Sequence, residues 1–160
     1  MKRDARLAKL SWDHHHGLVM ALRISRELPE ATDERASALY SDLLSFWAAG
    51  LLPHFRVEQE CLLARLVGYV GVDSAAVRRT TEDHLEMEAL VTTMRDATNI
   101  GQRRAALARF GEALKTHIRW EESVLFELAQ DRLAEAELDA LGADIEAAIP
   151  EVQPAPANWQ

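Results

Sequence analysis

Two stretches of this chain repeat the pattern H-x-x-x-E: "HFRVE" from His54 to Glu58 and "HIRWE" from His117 to Glu121. On a helix, residues four apart lie on one face about one turn from each other. Each pair can therefore aim an imidazole nitrogen and a carboxylate oxygen at the same point. The remaining histidines are His84, which stands alone, and the run His14 to His16 in "DHHH". Two His–Glu pairs plus a histidine from each of two other segments form a nitrogen-and-oxygen donor set suited to iron, manganese or zinc. One H-x-x-x-E would mean little, because any amphipathic helix that carries histidine can supply it.

The apolar residues around these groups show which elements would hold them. They recur every three or four positions almost throughout, and period-two β-branched clusters are absent, so the chain reads as all-α. Trp47, Leu51, His54, Glu58 and Cys61 share one stripe, and Phe110, Leu114, His117, Glu121, Val124 and Leu128 share another. His84 sits mid-stripe among Val77, Thr80, Met87, Val91 and Met94. Both glutamates thus occupy core positions between apolar neighbours. An unpaired carboxylate there costs several kcal/mol or takes up a proton, and a cation removes that cost. In the first helix, at about 100° per residue, Leu7, Leu10, Leu18, Ala21, Leu22 and Leu28 centre their face near His14. His15 lies toward the edge of that face as the alternative donor, and His16 points largely outward.

Punctuation divides the chain into helices over about 11–28, 33–68, 73–98 and 103–129, with a shorter fifth within 133–149. Pro29 stops the first, Thr32 or Asp33 caps the second, and Asp73 caps the third. Pro53 falls inside the second helix beside His54, which predicts a kink or restart there. His14, His54, His84 and His117 recur after 40, 30 and 33 residues. With short loops, such intervals put all four at a similar depth in a bundle whose helices alternate up and down. Residues 1–149 form one helical domain in this reading, and 150–160 ("PEVQPAPANWQ") a tail.

Composition narrows the function classes. The chain has 160 residues, enough to bury a continuous core in one domain. A net charge of −8 disfavours nucleic acid and anionic membrane as partners. The basic start "MKRDARLAK" precedes no long apolar run, so neither a signal peptide nor a membrane anchor is expected. A single cysteine, Cys61, excludes an internal disulfide framework, and cytoplasm is the default compartment. Cys61 reads either as core filler or as a thiol near a redox metal. Trp12, Trp47 and Trp120 read as walls of the bundle.

One His on the first helix, H-x-x-x-E on the second, one His on the third and H-x-x-x-E on the fourth resembles the hemerythrin-like (HHE cation-binding) family. "LLPHFRVEQECLL" is similar to that family's second-helix signature and "HIRWEESVLF" to its fourth. The resemblance covers roughly the first 130 residues. It implies an up-down four-helix bundle with a short extra C-terminal helix, and a centre of two non-haem iron ions. The implied ligands are His14, His54, Glu58, His84, His117 and Glu121, with Glu58 and Glu121 bridging the ions. Oxygen carriers of this family resemble a site richer in histidine, with two on the third helix. Here the residue four after His84 is Glu88, which either adds a carboxylate or faces solvent. The functions implied are binding or sensing of a small ligand such as oxygen or nitric oxide, or of iron and redox state. The alternatives are a di-iron enzyme (peroxidase-like, or a repair protein donating iron) and an interaction module with a stabilising metal.

Overall fold

The computed structural model describes residues 3–148, and all regular structure among them is helical. The proposed tail, 150–160, lies outside the described residues. A short 3₁₀ turn, Ala5–Leu7, leads into the first helix, Ala8–Glu27. The second helix runs over 33–70, the third is Ala75–Asp96, the fourth spans 100–132 and the fifth is Glu135–Ala148. Their starts follow from the residues in front of them. Thr32 Oγ1 accepts from Arg35 N–H at 3.2 Å, and Asn99 Oδ1 accepts from Gln102 N–H at 2.9 Å. The third helix is capped by Ser74 rather than Asp73: its Oγ accepts from Val77 N–H at 3.4 Å. Gly71, at φ 82°, takes the left-handed turn that ends the second helix.

The apolar core consists of two clusters. One holds Met20, Ile24, Leu43, Trp47, Leu51, Phe55, Met87, Val91, Phe110, Leu114 and Ile118. The other holds Leu7, Leu10, Leu62, Leu66, Val77, Leu125, Phe126 and Ala129, covered by Leu138, Leu141 and Ile145 of the fifth helix. A buried polar layer made of His14, His54, Glu58, His84, His117 and Glu121 falls between them along every one of the first four helices. On the first and third helices the chain meets the second cluster, then the polar layer, then the first cluster. On the second and fourth the order is reversed. The fifth helix is held to the start of the chain by Arg6, whose guanidinium pairs with Glu135 at 3.0 Å and Asp139 at 2.8 Å. Gly17 lets the first and fourth helices approach, since a Cβ there would lie 2.6 Å from Ile118 Cδ1.

The structure departs from an all-α phase at three π turns: Trp47–Leu51, Glu58–Leu63 and Glu121–Leu125. In each, a backbone N–H reaches back five residues: Leu52 to Trp47, Ala64 to Gln59, and Phe126 to Glu121. The wider turn inserts one residue into the helical stripe. The first of them lies just before Pro53, whose missing N–H it accommodates, so the second helix stays helical through the proline. The other two start at the two core glutamates and shift everything downstream by one position. Val124, expected inside, is 43% exposed, and Leu125 is fully buried in its place. Cys61 is likewise turned partly outward while Leu62 takes the core position. Two further expectations fail on the first helix. Leu22 is exposed, and Trp12, at 59% exposure, lies on the surface instead of walling the core.

The shifted stripe is directly testable. Leu125→Ala should cost about 2–5 kcal/mol through an unfilled cavity, while Val124→Ala should change stability by no more than about 0.5 kcal/mol. Urea melts of the two variants distinguish the π register from a continuous α phase, which predicts the reverse ranking.

Candidate metal centre

The six residues come from four helices and meet in one cluster. Glu58 and Glu121 are fully buried, and His14, His54, His84 and His117 are buried around them. Within the cluster His54 Nε2 is 3.1 Å from Glu58 Oε1, and His117 Nε2 is 3.1 Å from Glu121 Oε2. These are the two i,i+4 pairs, and the π turn begins only at the glutamate, so the α spacing within each pair survives. His14 Nε2 adds contacts of 3.4 Å to Glu58 Oε1 and 3.1 Å to Glu121 Oε2. His84 Nε2 lies 3.4 Å from the other oxygen of Glu58, Oε2, and 3.2 Å from His117 Nε2. Glu58 thus turns one oxygen to His14 and His54 and the other to His84.

The donors fall into two sets that share both carboxylates. One is His14, His54, Glu58 and Glu121; the other is Glu58, His84, His117 and Glu121. Within each set the four donor atoms lie within 4.8 Å of one another. Among the described residues, eight buried side-chain nitrogen and oxygen atoms lack a hydrogen-bond partner. Six of them are here: Nε2 of His14 and His54 and all four oxygens of Glu58 and Glu121. Buried polar atoms are otherwise almost always satisfied. A cluster of inward-facing lone pairs on hard and borderline donors fits a transition-metal cation.

Outside the cluster, carboxylates hold the far nitrogens of three rings. Glu122 Oε1 sits 2.7 Å from His14 Nδ1, Asp13 Oδ2 is 3.3 Å from His54 Nδ1, and Asp83 Oδ2 is 3.2 Å from His117 Nδ1. An Nδ1–H that donates to a carboxylate leaves the Nε2 lone pair directed inward. The fourth ring, His84, is held by stacking instead: Phe55 lies parallel to it, 3.8 Å between centroids. Phe126 stacks on His14 at 5.1 Å. The spacing of histidine and glutamate does not mark Asp13, Asp83 or Glu122, although each is the immediate neighbour of a cluster residue.

On the first helix, His14 is the histidine that enters the cluster. His15 is exposed and His16 only partly covered, and both pack around Trp12 on the surface. The edge position goes to His16 rather than His15. Glu88 faces solvent.

Without metal, the neighbouring carboxylates favour the protonated form of His14, His54 and His117. Burial disfavours the charged form of His117, but Glu121 and Asp83 outweigh it and raise its pKa to about 9. His14 and His54 are raised in the same way, against burial, by Glu121, Glu122 and Glu58 for His14 and by Glu58 and Asp13 for His54. Burial disfavours the Glu58 carboxylate, yet the surrounding histidines hold its pKa well below the ordinary value.

The chain belongs to the hemerythrin HHE cation-binding domain family, whose model matches residues 7–129. Neither a curated protein nor a solved structure matches the chain. The family binds cations, and the cluster lies on the matched helices with donors able to hold metal. The fifth helix, Glu135–Ala148, falls beyond the matched region.

The proton uptake gives a signed pH dependence. A histidine raised from 6.5 to about 9 stabilises the metal-free fold fully below its unfolded pKa, and that contribution is lost as pH rises through the folded value. Thermal melts of metal-free protein should therefore fall in Tm between about pH 6.5 and 9, as His117 loses the proton its partners favour. Over the same window metal should bind more tightly, because protons no longer compete for the imidazoles. A metal-free Tm that climbs through this window contradicts the arrangement.

Proposed function

We propose that this protein is a non-haem di-iron protein that binds or senses a small ligand, either a diatomic such as oxygen or nitric oxide, or peroxide. The observation that carries this reading is the pair of donor sets sharing Glu58 and Glu121. Two sets with common carboxylates suit two ions held side by side better than one. Glu58 and Glu121 would be shared by the two ions, with His14 and His54 holding one and His84 and His117 the other. Six side chains do not saturate two ions that each tend toward six-coordination. When bound, iron supplies a change of oxidation state and open positions for a small ligand. The chain's own residues orient the imidazoles through Asp13, Asp83 and Glu122 and pack Phe126 and Phe55 against the rings of His14 and His84. A surface groove of about 300 Å³, lined by Asp83, Glu86, Arg109, Glu112, Ala113, Thr116 and His117, brings solvent to the flank of this layer.

The proposed architecture, over the described residues 3–148, is an up-down four-helix bundle with the fifth helix added. The alternating order of the two apolar clusters along successive helices supports it. No described helix is long and apolar enough to cross a membrane. We place the protein in the cytoplasm, where its one cysteine, partly exposed, stays reduced.

Protein loaded anaerobically with ferrous iron should hold two ions per chain by elemental analysis, and its absorption should change reversibly with oxygen or nitric oxide. Glu58→Gln and Glu121→Gln keep the side-chain shape but remove a bridging charge, so each should lose at least one ion. Unchanged metal content in both variants, or a stable single zinc after iron loading has been tried, would contradict the di-iron reading. Steady-state consumption of peroxide would instead favour an enzyme.

A further inference from the structure

The outer carboxylates form a pattern across the helices. Asp13, next to His14 on the first helix, holds His54 on the second. Asp83, next to His84 on the third, holds His117 on the fourth. Glu122, next to Glu121 on the fourth, returns to hold His14 on the first. The remaining link, from the second helix to His84 on the third, is made by Phe55, the neighbour of His54, through its ring face. Among the described residues no carboxylate lies against the far nitrogen of His84, whose ring is placed by packing on Phe55.

This makes the two donor sets unequal. In the first, His14 and His54 both carry a carboxylate on Nδ1. In the second, only His117 does. The carboxylates themselves also differ. Asp83 shares its charge with Arg79, at 3.6 Å, and Glu122 shares its own with Arg3, at 2.7 Å. Among the described residues no cationic side chain other than His54 pairs with Asp13, which sits at 17% exposure with that ring as its partner. A carboxylate on the far nitrogen fixes the ring's tautomer and orientation and strengthens it as a donor.

We propose that Asp13, Asp83 and Glu122 are positioning residues, and that their distribution makes the position bounded by His14 and His54 bind metal first. The position bounded by His84 and His117 then fills second, at lower affinity. This rests on the two-ion reading above, with Glu58 and Glu121 common to both positions.

The test is an anaerobic titration of the full chain with ferrous ion against a chromophoric chelator, which resolves the two binding steps. Wild type should show a tighter first step and a weaker second. Asp13→Ala should weaken the first step by about 10- to 100-fold. Asp83→Ala should weaken the second by a similar factor and leave the first within about twofold. Asp13→Asn keeps an acceptor oxygen for His54 and should recover part of the loss, which a purely structural role would not predict. It also keeps the test open if the alanine variant fails to fold, and metal-free melts of each variant report that directly. Two equal steps in wild type, or both aspartates acting on the same step, would overturn the ordering. Unchanged steps in every variant would overturn the positioning role. A wild-type stoichiometry of one would overturn the two-ion reading itself, an outcome distinct from the others.

Discussion

Burying an ionised carboxylate without partners costs several kcal/mol, and this chain buries two, Glu58 and Glu121, in the middle of a helical core. Most of what surrounds them follows from that constraint. Four imidazoles approach them with Nε2–oxygen separations of 3.1–3.4 Å, and the apolar core divides into clusters on either side. In metal-free protein the carboxylates favour protons on His14, His54 and His117. With a cation present, the same lone pairs become a donor set. The fold therefore has two ways to satisfy one layer, and they compete. Such a layer costs stability that Leu or Phe in its place would supply, so its presence argues for a site rather than for a structural core.

The helical class and the six cluster residues were legible in the sequence because both rest on local spacing. Histidine and glutamate four apart must share a helix face, and apolar residues around them place that face inward. His14 was distinguishable from His15 by phase alone, although the margin was one residue. What the sequence did not disclose was the π turn at each glutamate. Nothing in "EQECLL" or "EESVL" distinguishes a π turn from an α turn, since the difference is one hydrogen bond reaching five residues back instead of four. Phase extrapolated at a constant angle therefore failed just past each glutamate, at Cys61 and Val124, and held before it. π turns recur at functional sites in helices because they rotate a side chain without breaking the element. Here they let Glu58 and Glu121 face the cluster while Leu62 and Leu125 still reach the core.

The outer carboxylates illustrate a different limit. Asp13, Asp83 and Glu122 stand beside cluster residues in "DHHH", "EDH" and "EES", but each serves a ring on another helix. Periodicity assigns a residue to a face of its own helix and carries no information about which neighbouring helix lies opposite. An acidic residue beside an inward histidine reads as solvated surface until the packing partner is known. The weak signal available was the repetition of an acid next to a cluster residue at three of the four segments. The fifth helix poses the same difficulty: its apolar positions predict burial, but only the structure shows that Arg6 and Leu10 lie beneath it.

The central claim, that one polar layer holds two ions between shared carboxylates, is tested most directly by crystallography of iron-loaded protein with anomalous data collected on both sides of the iron absorption edge. Two anomalous peaks per chain are expected, roughly 3.5–4 Å apart, lying between Glu58 and Glu121 with His14 and His54 on one side and His84 and His117 on the other. A single peak coordinated by one donor set, or peaks confined to the surface histidines His15 and His16, would contradict it.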